Sequence, residues 1–439
     1  MTIKRLLPLS AALALALAGP ARAEGLLELY EAARAWDATW QSAKSQYDAS
    51  VARAEQARAG ILPTAGLSAG VTRTIIHPTP GADRNFTTQQ GTLSAAQPIY
   101  RPANVATWRQ GQRQAELAAF QLTAASQDLI IRVSQAYFDV LASQDTLTFV
   151  RAQKSAVAEQ LASARRNFEV GTSTITDTRE AEARHDLVLA QEIAAENDLR
   201  VKRLALDTLV GKTNTQPNPL ALPLEVPPPQ PADPEVWVAA SENASPQIQQ
   251  ARTAVEIAEL ETEKAKAGHK PTLDVTSSLG VTRNVGGTAT TPGDSRSHNG
   301  NVGLAFQLPL FAGFATQNRI RETLSLEEKA KTDLEAARRQ IAQAVRTAYF
   351  GVVSGQGQVR ALQAAETSSQ SALDANRLGY QVGVRINIDV LNAQSQLFQT
   401  KRDLAQARYN VLLGHLKLRQ ANGTLQPEDL ARLNTLVAK

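Results

Sequence analysis

No cysteine occurs in the 439 residues. Disulfides, thiolate zinc sites and a cysteine nucleophile are therefore excluded, as is a lipid carried on an N-terminal cysteine. Aromatic residues are scarce at 5%. Trp36, Trp40, Trp108 and Trp237 are too scattered to form a base-stacking stripe and read as packing or junction residues. The five histidines (His77, His185, His269, His298 and His415) include no pair at ligand spacing on one helix face, so no metal site is expected. There is no G-x-S-x-G, no P-loop and no G-x-G-x-x-G after a strand. Gly355 and Gly357 lie inside a helical stretch and mark a bend or a close helix contact. No catalytic residue and no cofactor is assigned.

Charge of one sign is missing too. The chain has 46 basic and 42 acidic residues. Lys4, Arg5 and Arg22 belong to a leader without acids: a basic start, the apolar run Leu6 to Ala18, and the small-x-small site Ala21-Arg22-Ala23. This reads as a secretory signal peptide over 1–23, shorter than the ~20 apolar residues of a membrane anchor. The remaining chain is near neutral, which gives no reason to invoke nucleic acid. Beyond the leader no run approaches ~18 apolar residues, so no transmembrane helix is expected. The abundance of Ala, Gln and Arg suits long helices with thin, close-packed seams.

What the chain does have is itself, twice. Ala57-Arg58-Ala59-Gly60 with Pro63-Thr64 recurs as Ala265-Lys266-Ala267-Gly268 with Pro271-Thr272. Gln97-Pro98-Ile99-Tyr100 recurs as Leu308-Pro309-Leu310-Phe311, and Val133 to Phe138 recurs as Val345 to Phe350. "FEVGTSTITDT" (Phe168–Thr178) returns as "YQVGVRINIDVL" (Tyr380–Leu391), so that Gly171 and Asp177 match Gly383 and Asp389; Gly211 matches Gly423. Landmarks in one order at a nearly constant offset signify an internal repeat. The copies are joined by Thr213 to Pro234, which holds eight prolines and is expected to be an extended spacer.

Within each copy the hydrophobic period switches. Val105 to Glu169 carries no proline, and Leu129, Val133, Tyr137, Val140 and Leu147 form one narrow stripe. The spacing predicts a helix about 100 Å long, matched from about Thr316 to Val382. Shorter helices are expected over Ala38–Ala59 and Ile175–Val210, together comparable in length to the long one. Pro63 to Pro98 reads with a period of two: Ala65, Leu67, Ala69 and Val71 alternate with small polar residues. Leu273, Val275, Leu279 and Val281, then Val302, Leu304, Phe306 and Leu308, do the same in the second copy. Asn85 to Pro98 alternates poorly. Uncharged mid-strands with one apolar and one small-polar face suit a membrane barrel of ~12-residue arms. Four strands cannot close a barrel, and open edges are not tolerated in lipid; several copies about an axis are required.

These features together resemble the TolC family of outer-membrane export channels, over essentially all of the chain after the leader, with "YQVGVRINIDVLNAQSQL" the most specific stretch. The resemblance implies an α+β membrane protein of two repeats. Its homotrimer shares a 12-stranded β-barrel that continues into a periplasmic barrel of coiled helices. It implies the divisions 1–23 signal peptide, 24–62 helices, 63–98 membrane hairpin, 99–212 long helix, turn and return helix, and 213–234 linker. The second copy follows as 235–270, 271–309 and 310–423, with a tail over 424–439. It implies a passive duct taking proteins or small molecules such as drugs from an inner-membrane transporter of the ABC, RND or MFS class through a periplasmic adaptor. The missing N-terminal cysteine points to the unlipidated branch, which includes type I secretion and drug-efflux channels. In the family a tyrosine and an arginine of the second turn bond to an aspartate of the first and hold the periplasmic entrance shut. The matching positions are Tyr380, Arg385 and Asp177, with Thr176 beside the last. The family often carries two acids three residues apart on the inner helix; here Asp389 is present and Asn392 stands in the second place, which implies a single ring of charge and weaker cation binding.

The turns also have a purely structural reading. Gly171 and Gly383 would end helices in a left-handed conformation, and Asp177 and Asp389 would favour the next helix's first turn. Two further functional classes stay open on sequence grounds: a periplasmic coiled-coil adaptor, which leaves the membrane-type hairpins unexplained, and a secreted enzyme, which lacks a recognisable catalytic set.

Overall fold

The computed structural model describes residues 24–221 and 227–434; the leader and the middle of the proline-rich linker lie outside the described residues. The chain divides into two compact units. Among the described residues, one comprises Lys44–Leu122 and Gln247–Arg338; the other comprises 24–43, 123–221, 227–246 and 339–434.

The helices are α1 (Leu26–Trp36), α2 (Ala38–Arg58), α3 (Pro102–Glu169), α4 (Ile175–Val210), α5 (Pro234–Ala244), α6 (Pro246–Lys266), α7 (Ala315–Gln381), α8 (Asn387–Ala421) and α9 (Pro427–Asn434). Helices α3 and α7 are unbroken over 68 and 67 residues, so each is about 100 Å long. Proline opens α3, α5 and α6, where its missing N–H costs nothing. Pro234, expected as the end of the spacer, is for this reason the first residue of α5, capped by Asp233, whose carboxylate accepts the Glu235 N–H at 2.9 Å. No helix among the described residues is long and apolar enough to cross a membrane.

The first unit is built around an antiparallel meander of β1 (Thr64–Ile76), β2 (Arg84–Tyr100), β3 (Thr272–Val285) and β4 (Ser295–Gln307). The strands run to 13, 17, 14 and 13 residues, somewhat longer than the arms expected. The β2–β3 ladder joins the two sequence copies. Rungs of partnered residues show why β2 alternates poorly. One face carries Ala65–Ala95–Ser277–Val302, Leu67–Leu93–Leu279–Gly300 and Ala69–Gly91–Val281–His298. Towards the strand ends that lead into helices it continues as Gln97–Val275–Leu304 and Tyr100–Leu273–Phe306. Strand β2 contributes Gly91 and Gln97 to this face, and its neighbours supply the apolar bulk. The other face carries Gly66–Ser94–Ser278–Asn301, Ser68–Thr92–Gly280–Asn299 and Gly70–Gln90–Thr282–Ser297, without one aliphatic side chain among them. Leu67, Leu93, Leu279, Val302, Leu304 and Phe306 are all exposed in the single chain. A sheet that leaves this much apolar surface uncovered on one face and only small polar groups on the other is patterned for lipid outside and water inside.

The second unit packs helical seams. Val150, Val157, Leu161 and Ala164 of α3 meet Ala181 and Val188 of α4 and Leu391 of α8 in one buried cluster. Successive gaps of seven, four and three residues keep the seam on one helix face. The repeat is visible in its tyrosines. Tyr137 donates to the carbonyl of Asn218 at 2.8 Å, and its counterpart Tyr349 donates to the carbonyl of Ala232. Each stands edge-on to the phenylalanine after it, 5.6 and 5.7 Å between centroids. Two equivalent hydroxyls thus clamp the two ends of the linker.

Candidate functional site

The two repeat-related reversals lie in the second unit, and the sequence makes both by the same device. Gly171 and Gly383 each have φ +78°. At the first, Thr172 N–H returns to the carbonyl of Asn167 at 2.8 Å; at the second, Val384 N–H returns to that of Gly379 at 2.9 Å. A left-handed residue after the last helical turn lets the following amide satisfy a carbonyl that would otherwise be orphaned.

The next helix starts differently in the two copies. Thr174 caps α4: its hydroxyl accepts the Asp177 N–H at 3.2 Å while the Asp177 carboxylate accepts the Thr174 N–H at 3.1 Å. The same carboxylate oxygen also accepts the hydroxyls of Ser173 and Thr174 at 2.7 and 2.8 Å. Partial burial pushes the Asp177 pKa up, but these hydrogen bonds outweigh it and hold the carboxyl below the usual carboxylate range. In the second copy Ile386 precedes α8 and offers no side-chain cap. Asp389 stands in the first turn of α8, with the Arg385 guanidinium 3.7 Å from it.

Tyr380, Arg385 and Asp177 line one cleft of about 720 Å³ between the turns. Within the chain, however, neither Tyr380 nor Arg385 has a hydrogen bond or ion pair to Asp177 among the described residues. Tyr380 accepts a hydrogen bond from Asn167 Nδ2 at 3.3 Å and packs against Leu373, Val390 and Leu397. Arg385 lies over Gly379, where a β-carbon would come within 2.7 Å of its Cγ. Thr176 is exposed beside Asp177. Asn392 is not free: its side-chain oxygen accepts from Arg184 of α4 at 2.9 Å.

The buried link between the turns is Asn387, a residue that no sequence pattern singles out. It is fully buried. Its amide donates to the main-chain carbonyl of Asp177 at 3.2 Å and its oxygen accepts from Gln160 of α3. One asparagine therefore links α3, the start of α4 and the start of α8. A polar side chain at the first helical position normally faces water, so nothing in its local spacing marked it. Two ion pairs flank the seam: Arg165–Glu182 at 2.6 Å, largely exposed and worth little alone, and Lys154–Glu192 at 2.6 Å, whose carboxylate is half-buried.

The arrangement holds two helix reversals together by neutral hydrogen bonds and leaves carboxylates at their tips. Among the described residues no three His, Asp or Glu side chains are grouped to hold a metal ion.

Comparison with known proteins bears on both repeats. The model of the family described as "Outer membrane efflux protein" matches twice, at residues 29–212 and 237–424. The outer membrane protein TolC of Escherichia coli strain K12 is 32% identical over 451 aligned positions, spanning 100% of this chain and 90% of that protein. The alkaline protease secretion protein AprF of Pseudomonas aeruginosa is 32% identical, spanning 98% and 91%. Among solved structures, the outer membrane protein VceC of Vibrio cholerae has the same fold, with a TM-score of 0.77, 19% identity and coverage of 91% of this chain and 96% of that one.

Proposed function

This chain belongs to the outer membrane efflux protein family, and on that premise we propose that three copies of it close one barrel and open and shut at the paired helix reversals. The protein itself is an outer-membrane efflux channel with a periplasmic extension. The relatives at about 32% identity include one named for protease secretion, so polypeptides belong with small molecules among the cargo classes proposed for it. An inner-membrane transporter and a periplasmic adaptor supply the energy and the link, and the reversals are where the adaptor's helices meet the channel.

The observation that carries the assembly is the sheet. Strands β1 and β4 have no partner on their outer edges among the described residues, while one face is apolar from Phe306 to Leu67. Unpaired backbone groups in hydrocarbon cost several kcal/mol each, so β4 of one copy pairs with β1 of the next. Three such sheets give the twelve strands of the family. A lone adaptor has no use for such a sheet.

At the reversals, the Asp177 carboxylate is engaged by its own turn within the chain. Ser173 and Thr174 take only one of its oxygens, and Tyr380 and Arg385 of a neighbouring copy reach the other. Closure rests on Asn387 inside each copy and on Asp177, Thr176, Tyr380 and Arg385 towards the axis. Opening swings one hairpin away from the other, and a partner that binds the open form better drives it. Asp389 of each copy forms the charged ring, and Asn392 leaves that ring single.

The test is direct. Detergent-extracted protein is sized by light scattering and reconstituted in planar bilayers. Trimers that conduct in small, rarely opening steps support the reading. A monomer, or a species that never conducts, would overturn it.

A further inference from the structure

Two arginines sit on the lipid-facing side of the sheet, directly opposite each other. Arg283 of β3 and Arg296 of β4 are partners in the ladder, on the rung Val71–Gln89–Arg283–Arg296. That rung follows Ala69–Gly91–Val281–His298, the last of the apolar band, on the side of the hairpin loops. Both side chains are exposed. Like charges directly opposed on neighbouring strands destabilise the pair, yet no carboxylate neutralises either among the described residues. The nearby acids are engaged elsewhere: Asp294 accepts the Gly286 N–H at 2.8 Å, and Asp83 pairs with His77 at 2.9 Å. Arg73 follows one rung further out on β1, where it donates to Asn85 at 3.0 Å.

Their height is informative. Ten residue steps separate Leu273 from Arg283. At ~3.4 Å per step and a tilt near 40° this places Arg283 about 26 Å above the Leu273 rung. An outer-membrane hydrocarbon band is about 25 Å tall. The pair therefore stands where the hydrocarbon ends. At the other border the face ends on Tyr100 and Phe306, without a lysine or arginine on that rung.

We infer that Arg283 and Arg296 form a binding site for the phosphate groups of the glycolipid in the outer leaflet. Two guanidinium groups, each able to give two parallel N–H bonds to phosphate oxygens, are held a strand spacing apart by the ladder. An anionic phosphate between them turns their repulsion into a bridge. The site is continuous with the apolar face that takes the acyl chains, so one molecule is gripped at both ends. This rests on the reading that the face meets lipid and the loops meet the exterior.

The assembled channel is titrated in detergent with lipopolysaccharide and with the same lipopolysaccharide stripped of its lipid-anchor phosphates, and retained glycolipid is counted by native mass spectrometry. The wild-type channel is expected to retain the phosphorylated form about ten-fold better than the stripped form, from two basic side chains at a membrane surface. R283Q/R296Q is expected to lose that preference, and the single variant R296Q to lose part of it. Equal retention of both forms by the wild type would overturn the inference, as would a preference that survives in R283Q/R296Q. If the double variant does not assemble, the wild-type and R296Q titrations decide. Bilayer conduction by the same wild-type preparation is scored separately, since its absence would instead remove the channel reading beneath.

Discussion

The side-chain amide of Asn387 donates to the main-chain carbonyl of Asp177 at 3.2 Å, 210 residues away in sequence, while its oxygen accepts from Gln160. Both ends of this buried amide are used. An asparagine that loses its partners in an apolar seam costs about 1–3 kcal/mol per unsatisfied group. It therefore resists separation of the hairpins over a very short distance and then stops resisting, which suits a catch better than a spring.

The first prediction follows from that contact. Asn387→Ile removes both bonds and leaves Gln160 and the Asp177 carbonyl without them. If each lost bond weakens the closed form by about 1 kcal/mol, the closed-to-open ratio falls roughly ten- to thirty-fold. Single-channel recording should show longer and larger openings at unchanged trimer yield. A wild-type opening pattern would mean that the contact is packing and no part of closure.

Glycine substitutions separate conformational strain from collision. At Gly171 and Gly383, both at φ +78°, an added β-carbon meets nothing within 4 Å. Alanine there costs only the left-handed conformation, about 1 kcal/mol. Gly211 and Gly423 also have positive φ, but there the β-carbon would run into the Trp36 ring and the Ala244 carbonyl. Gly211→Ala and Gly423→Ala should lower the thermal midpoint by several times as much as Gly171→Ala and Gly383→Ala. Equal losses at all four would refute the distinction.

Acid should loosen the second unit through Asp37. Its carboxylate takes two bonds from the Arg132 guanidinium, at 2.8 and 2.9 Å, and one from the Trp40 N–H at 2.8 Å. The Arg132 bonds dominate, burial opposes them, and the net effect holds the pKa below its ordinary value. A depressed acid pKa means that the folded form binds its proton less readily than the unfolded one. The stabilisation is thus complete above the ordinary carboxylate range and is lost as pH falls through and below it. Asp145 runs the other way: burial, its largest influence, raises its pKa despite the Tyr409 hydroxyl 2.6 Å away. Asp37→Asn should flatten the loss of stability as pH falls through and below the ordinary carboxylate range in denaturation series, and Asp145→Asn should not.

The elements were legible where the hydrophobic period was unshared. Helix α3 follows from one apolar stripe and α7 from its match to the first copy, and β1, β3 and β4 from alternation. Strand β2 was obscure because Gly91 and Gln97 lie on its lipid side, a compromise visible only once Val281 and Val275 are seen beside them. The reversals were legible through Gly171 and Gly383, whose conformation is a local matter. The partners of Tyr380 and Arg385 were not, because Asp177 is claimed by Ser173 and Thr174, hydroxyls three and four residues away that read as ordinary turn residues. Asn387 was invisible for the opposite reason: its two partners come from distant helices.

Charge at the entrance gives the last prediction. With Asn392 in place of a second acid, the ring proposed for Asp389 would stand alone, and block by multivalent cations should be weak. The obvious repair, Asn392→Asp, should disappoint. Arg184 already lies within hydrogen-bonding distance of Asn392, at 2.9 Å from its oxygen, and a carboxylate put there would be neutralised by that guanidinium before a cation reached it. Removing the arginine as well, in Asn392→Asp with Arg184→Gln, should tighten trivalent-cation block by about ten-fold or more over either single change, because two adjacent carboxylate rings then face the same ion without a competing charge. Additive single effects in bilayer titrations would show that Arg184 points elsewhere in the assembled channel, and tight block of the wild type would show that a single ring suffices.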